Sequence, residues 1–429
     1  MKHFCKKIVV AIITYQARIL LRRHRPYIIA VTGSVGKTTT KDAIYAVLKN
    51  HVTARKSEKS FNSDIGVPLS ILGLPNAWNS PFQWLKNFID GTWAAFFSKE
   101  YPEVVILEAG VDRPGDMAQL TSWLKPDMVV ITRLPDVPVH VEFFSSPEAV
   151  VAEKLELLKA LKPSGVFIYN HDDSKLQSVV ETVRQQAIGY SRYVPSHFTI
   201  GNDQIVNRDG LPVGMRARLT HMNEAIEVHL EGVLGVSSMY TVAAAAAVAS
   251  EFNISIKEVA EDMANFTPPP GRMRVIPGLK STTIIDDTYN SSPIAVASAL
   301  ETLREIKGTK RKIAVLGDML ELGKYSSDEH EKVGALAAQS ADILITLGIR
   351  SRKTAEAALA HGMNDKVVYQ YDDIGRAGRE LQNLLKLGDV VLIKASQGLR
   401  AERIIEEIMA EPEHASELLV RQSAAWYKK

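Results

Sequence analysis

Short apolar runs of strand length recur through the first part of the chain, at Tyr27 to Val31, Val104 to Leu107, Met128 to Ile131 and Val166 to Tyr169, separated by longer segments of helical pattern. Strands covered on both faces are apolar throughout, and a helix between successive strands supplies the crossover that parallel pairing needs. The pattern therefore predicts an α/β fold with a parallel sheet. A polar stretch from about Tyr190 to Glu227, irregular in its alternation and containing several Gly and Asn residues, predicts a small antiparallel excursion at the sheet edge. The alanine-rich run Thr241 to Ser250 combines high helix propensity with little side-chain bulk, which predicts a closely packed buried helix. Thr267-Pro268-Pro269-Pro270-Gly271 cannot continue a helix and marks a domain junction. Beyond it, runs at Thr283 to Ile285, Lys312 to Leu316, Ile343 to Leu347, Val367 to Tyr369 and Val390 to Ile393 alternate with helices again, predicting a second, Rossmann-like α/β unit. The expected organisation is an N-terminal segment over residues 1–25, a central domain over 26–270 and a C-terminal domain over 271–429.

With 429 residues, 46% of them hydrophobic, the chain can bury a substantial core. The 51 basic and 49 acidic groups nearly cancel, which gives no whole-chain drive toward nucleic acid, and no nucleic-acid partner is expected. A single cysteine, Cys5, cannot form an intramolecular disulfide and fits a reducing cytoplasm. The first 25 residues depart from the even balance: Lys2, Lys6, Lys7, Arg18, Arg22, Arg23 and Arg25 surround an apolar run from Ile8 to Ile13. That run is too short to span a bilayer, and no small-residue cleavage site follows it before the first core strand, so export is not expected. Two readings stay open. One is a basic amphipathic helix on an anionic surface, giving peripheral contact at the inner membrane; the other is a helix packed on the domain with its charges solvated.

Candidate chemistry starts at Gly33-Ser34-Val35-Gly36-Lys37-Thr38-Thr39, which leaves a predicted strand and enters a helix beginning near Lys37. Glycines let successive backbone N–H groups point into one concavity, and the helix N-terminus adds positive potential. Lys37 neutralises phosphate charge, and the Thr38 hydroxyl can reach a magnesium ion. The usual first glycine of this loop would fall at Val31, and Gly33 supplies the turn in a tighter form. Glu108 ends the strand from Val104, where side chains of a parallel sheet reach the ligand crevice, and is the candidate carboxylate for that metal.

Several ordered motifs resemble the Mur ligase family, nearest to its MurF type. They are Asn62-Ser63-Asp64-Ile65-Gly66-Val67-Pro68-Leu69; Glu108-Ala109-Gly110 followed by Arg113-Pro114-Gly115-Asp116; His140-x-Glu142-x-Phe144-x-Ser146-x-Glu148 with Lys154 six residues on; Gly271-Arg272-Met273 with Asp286-Asp287-Thr288-Tyr289-Asn290-Ser291-Ser292-Pro293; and Val315-Leu316-Gly317-Asp318-Met319-x-Glu321-Leu322-Gly323. The resemblance covers nearly all of residues 27 to 410. It implies an ATP-dependent ligase that activates a carboxylate as an acyl phosphate and joins it to the amine of an amino acid or dipeptide such as D-alanyl-D-alanine, on a small-molecule cell-wall peptide precursor. It further implies ATP and two magnesium ions, with Glu108 and His140 as metal ligands beside Thr38. Lys154 would be carbamylated by CO2 in support of the second metal. Arg272 would lie on the ATP phosphates, Asp287 on the ribose, Asn290 on the adenine, and Asn62 and Ser396 on the substrates. A monomer is expected.

Some features depart from the family. Its members of this type begin with a domain that binds the UDP part of the substrate, whereas here the phosphate loop starts about 30 residues from the N-terminus, so that domain is expected to be absent. A lipid-linked or free peptide substrate is then an alternative, as is a silent ATP-binding scaffold. Ser237-Ser238-Met239-Tyr240-Thr241 stands where the family usually has His-Asn-x-x-Asn, and Lys394-Ala395-Ser396-Gln397-Gly398 where it has Lys-Gly-Ser-Arg, which leaves amine specificity open. An ordinary phosphate-loop ATPase or GTPase has no place for the Lys154 constellation.

Overall fold

The computed structural model describes residues 2–58, 61–78, 80–423 and 426. Met1 of the N-terminal segment and residues 424, 425 and 427–429 of the C-terminal stretch lie outside them, as do the side chains of Lys2 and Cys5.

Nine strands form the first sheet: β1 (Tyr27–Thr32), β2 (Ala54–Lys56), β3 (Val104–Glu108), β4 (Met128–Ile131), β5 (Val166–Asn170), β6 (Gln186–Ser191), β7 (Phe198–Arg208), β8 (Leu211–His221) and β9 (Glu224–Glu231). Their order is β2-β3-β1-β4-β5-β6-β7-β8-β9. Pairing is parallel from β2 to β7 and antiparallel from β7 to β9, so the polar stretch forms the expected antiparallel edge. The second sheet holds β10 (Arg274–Gly278), β11 (Thr282–Asp287), β12 (Lys312–Gly317), β13 (Ile343–Leu347), β14 (Val368–Tyr371) and β15 (Val390–Lys394), in the order β10-β11-β15-β12-β13-β14. Only β10 runs antiparallel there.

Helices α1 (Lys2–His24), α2 (Lys37–Leu48), α3 (Gly66–Leu72), α4 (Pro81–Phe97), α5 (Asp116–Thr121), α6 (Pro147–Lys159), α7 (Ser174–Val180) and α8 (Val236–Ser250) accompany the first sheet. Alternate residues of β1 separate two cores: Ile29 and Val31 pack with Ile44 of α2 and the alanines of α8, while Ile28 and Ala30 pack with Ile13 of α1 and Val67 of α3. Small side chains let α8 lie close against α2, and residues Val242 to Ala249 are all buried. On the other face, α1 buries Val10, Ile13, Ala17 and Leu20, an i, i+3, i+7, i+10 stripe. The N-terminal helix is thus packed on the domain. No helix among the described residues is long and apolar enough to cross a membrane.

The segment around Gly271 leads from one sheet to the other. Its turn is held by the buried Asp286 carboxylate, which accepts from the N–H of Gly271 (2.9 Å), the N–H of Thr288 (3.1 Å) and the hydroxyl of Thr288 (2.6 Å). Burial pushes the Asp286 carboxyl up to about 6 against these donors.

Candidate functional site

The phosphate loop follows β1 directly, at the carboxyl end of a central strand of the first sheet. Gly33 has φ +137°, and a Cβ there would collide with Thr132 Oγ1 while lying 3.1 Å from two backbone nitrogens of the neighbouring strand end. Gly36 (φ 83°) is the left-handed cap of α2 and offers no side-chain oxygen, so the first N–H groups of the helix are left for a ligand. The loop is pinned from behind: Ser34 N–H donates to the Arg133 carbonyl (2.8 Å), and the Thr132 hydroxyl donates to the Val35 carbonyl (2.6 Å). Gly33→Ala is expected to cost about 1–3 kcal/mol of stability from backbone strain alone and to weaken nucleotide binding, which paired melting and ATP titrations would check.

A cleft between the two sheets is lined from one side by Ser34, Val35, Gly36, Lys37, Thr38 and Thr39, together with Asn62, Glu108 and His140. Arg272, Asp287 and Asn290 line it from the other side. Fold closure therefore brings together expected residues that lie more than 200 positions apart. Arg272 stacks over the Tyr289 ring (4.1 Å) and points a guanidinium nitrogen at the Thr38 hydroxyl (3.5 Å). Burial lowers the pKa of the Lys37 ammonium and Arg272 adds to the lowering, while the carboxylates of Glu108 and Asp112 oppose it.

Glu108 is buried at the end of β3. Asn62 donates weakly to its Oε1 (3.4 Å), and the Lys41 amine lies 3.9 Å from its Oε2, an oxygen that accepts no hydrogen bond. A buried carboxylate oxygen without a hydrogen bond, in the cleft that the Thr38 hydroxyl also lines, makes a donor pair suited to magnesium. The described residues hold no cluster of three or more His, Cys, Asp or Glu able to form a metal cage.

His140 adopts a left-handed backbone (φ 72°), uncommon for a non-glycine residue. Its Nδ1 is 2.7 Å from Glu321 Oε2 across the cleft, and its Nε2 is 3.6 Å from Asp112. Lys154 does not line the cleft; it is buried beneath it on α6, in line with Val150 and Leu157. Burial and the charge of Lys37 push its amine down to about 7, against the pull of Asp112 and Glu153. Asp287 is engaged as well: Lys394 donates to it (2.6 Å) and to the Asn290 carbonyl (3.0 Å).

Ser396, expected on the substrate, is buried and does not line the cleft; its hydroxyl accepts from Leu320 N–H (2.9 Å), and Lys394 and Gln397 on either side of it line the cleft. Sequence reasoning missed Lys41, Asp112, Arg133, Glu321 and Lys394. Lys41 carried a signal, since with Ile44 and Leu48 it sits on the buried face of α2; its amine donates to the Ser57 carbonyl (2.7 Å) and pairs with Asp42.

A phosphate loop facing a second α/β sheet across one polar cleft defines a nucleotide-dependent enzyme that works between two sheets. The chain belongs to the Mur ligase family: residues 31–83 and 86–249 match the Mur ligase middle domain, and 271–397 match the Mur ligase glutamate ligase domain. It is an ATP-dependent carboxylate–amine ligase. Among its relatives are two UDP-N-acetylmuramoyl-tripeptide–D-alanyl-D-alanine ligases. The one from Bacillus subtilis is 30% identical over 390 residues, covering 90% of this chain and 76% of its own. That of Mycobacterium leprae is 31% identical over 397 residues, covering 87% and 71%. The crystal structure of the MurF ligase of Thermotoga maritima in complex with ADP superposes with a TM-score of 0.75 at 25% identity, over 95% of this chain and 84% of that one.

Proposed function

We propose that this ligase joins the amine of D-alanyl-D-alanine, or a closely similar dipeptide, to the terminal carboxylate of a muramoyl peptide used in cell-wall assembly in the cytoplasm. The observation that carries the reading is the convergence of Lys37, Glu108 and Arg272 on one cleft, in a chain whose relatives bear that activity in their names. The carboxylate oxygen attacks the terminal phosphorus of ATP, ADP departs, and the resulting acyl phosphate is attacked by the amine. The tetrahedral adduct then expels phosphate and leaves an amide. No side chain becomes acylated.

Two anions must meet in this sequence, so the protein's work is neutralisation and positioning. Lys37 and Arg272 would face the phosphates, the N-terminus of α2 would add backbone donors, and Asn290 and Asp287, which line the same cleft, would serve the nucleoside. Thr38 and Glu108 would hold magnesium, which supplies further neutralisation of phosphate oxygens. His140 would support a second ion through Nε2, with its Nδ1 side turned to Glu321, the kind of carboxylate contact that orients a ligating imidazole. For Lys154, the amine pushed down to about 7 is the supporting observation. A neutral amine adds to CO2, the new N–C bond forming as the nitrogen loses a proton to water, and the product is an anionic carbamate. Asn62, which bridges to Glu108, serves the site by orienting that carboxylate.

Phosphate release with ATP and magnesium, measured over UDP-linked, lipid-linked and free muramoyl peptides with and without D-alanyl-D-alanine, tests the reading. Release that requires both carboxylate and amine, with the joined product seen by mass spectrometry, is the expected result. ATP binding without stimulated release by any pair would instead indicate a scaffold.

A further inference from the structure

Helix α4 carries large apolar side chains on its outer face as well as its inner one. Its inner face sets half-buried Trp84 and Phe88 against the core and comes closest at Asn87, Gly91 and Ala95, which are buried; a Cβ on Gly91 would collide with the Gln16 side chain of α1. Gln16 Nε2 donates to the Phe88 carbonyl and to the Thr92 hydroxyl, both at 2.9 Å, so polar bonds and close approach fix α4 to α1. The outer face carries Phe82, Leu85, Ile89, Trp93 and Phe96, three or four residues apart and all exposed, with Phe82 86% and Trp93 65% accessible. Phe97, at the end of the helix, lies 4.9 Å from the Trp93 ring and extends the same apolar surface; Trp78, just before the helix, is exposed as well. Single exposed apolar residues are ordinary, but a run of this length on one helix marks an interaction surface.

We propose that the outer face of α4 docks the protein onto an anionic lipid bilayer. The charge around the patch selects this occupant. The neighbouring helix α1 has no acidic residue and exposes Lys6, Lys7, Arg18, Arg22 and Arg23, while Lys86 lies on α4 itself and Lys99 just past its end. On α4 the sole acid is Asp90; Glu100 and Glu103 follow beyond its C-terminus. Of the basic groups, Lys6 is already paired with Asp64 (2.8 Å), and Arg23 reaches the Ala95 carbonyl of α4 at 3.4 Å. Tryptophan and phenylalanine along a helix, flanked by lysine and arginine, are the pairing expected at a headgroup boundary. There the rings enter the acyl edge and the cations meet lipid phosphates. The apolar stripe of α1 is spent on the domain core, so α1 contributes cations and α4 the insertion surface. This docking does not depend on which substrates the cleft takes.

The test is sedimentation of the full chain with vesicles of phosphatidylglycerol and phosphatidylcholine, against vesicles of phosphatidylcholine alone. Binding to the anionic vesicles that weakens with added salt is expected, together with a loss of about tenfold or more in the triple variant Phe82→Ser, Ile89→Ser, Trp93→Ser. The variant should keep the wild-type melting temperature and ATP affinity, since none of the three side chains is buried. Failure of the wild type to bind anionic vesicles would overturn the proposal. So would equal binding by the variant, or a wild-type dimer that the variant dissociates, which would assign the face to a second copy of the chain.

Discussion

Lys37→Ala is expected to lower ATP turnover on the order of a hundred- to a thousandfold while leaving the fold intact. The reason lies in how the other cations near the phosphate loop are committed. Lys41 is held by the Ser57 carbonyl and Asp42, and Lys394 by Asp287 and the Asn290 carbonyl. Arg272 reaches the loop from the opposite sheet, stacked on Tyr289. None of these can move into the place of the Lys37 amine without breaking a buried contact. Removing Lys37 also takes a positive charge from beside Glu108, leaving that carboxylate to Lys41 at 3.9 Å. Two anions would then approach each other with less neutralisation, and the transition state would suffer more than the ground state because negative charge builds on the departing ADP oxygen as the bond to the transferring group loosens. Initial-rate phosphate release at saturating ATP, beside a melting curve, measures the effect. Turnover within tenfold of wild type would remove Lys37 from the proposed role.

How much of this was legible in the sequence depended on whether local pattern or tertiary contact set each feature. The central strands were readable because parallel strands buried on both faces are apolar throughout, as β1, β3, β4 and β5 are. Strand β2 was not, because its three residues include Arg55 and Lys56 at a sheet edge; β10, also at an edge, contains Pro277. Helix α4 escaped because it is apolar on both faces, Trp84 and Phe88 inward and Phe82, Ile89 and Trp93 outward, so its pattern gives no sign of which face packs. In the cleft, the loop residues follow from local spacing, whereas Glu321 meets His140 only because two sheets close on each other. Ser396 shows the converse: its hydroxyl is used by Leu320 N–H, a contact between loops that spacing does not announce. Lys154 lies between these cases. Its acidic neighbours Glu153 and Glu156 suggest a solvated helix face, yet Val150, Lys154 and Leu157 share one buried stripe, and that stripe is visible in the sequence.

Lys154→Ala is expected to spare ATP affinity and to cut ligation about a hundredfold, the scale of losing a group that supports a metal ligand set. Small carboxylic acids such as acetate should restore part of the rate by supplying an anion in the vacated space; a lysine that acted only through packing would gain nothing from them. The pH dependence separates the two further. The amine is pushed from the ordinary lysine value of 10.5 to about 7, by burial first and by Lys37 second. Below about 7 the ammonium dominates, which cannot add CO2, and its charge beside Lys37 is unfavourable. Above about 7 the neutral amine dominates, and carbamate forms at fixed dissolved CO2. The unfavourable contribution of burying this amine is therefore fully present below about 7 and fades as pH rises toward the unfolded value. Ligation and the carbamate carbon signal from isotope-labelled CO2 should rise together through the same window, and both should be missing from Lys154→Ala. Full ligation by that variant, or activity indifferent to removal of CO2, would leave the buried amine as a structural group and return the anionic role to Asp112, the nearest carboxylate to act on both Lys37 and Lys154.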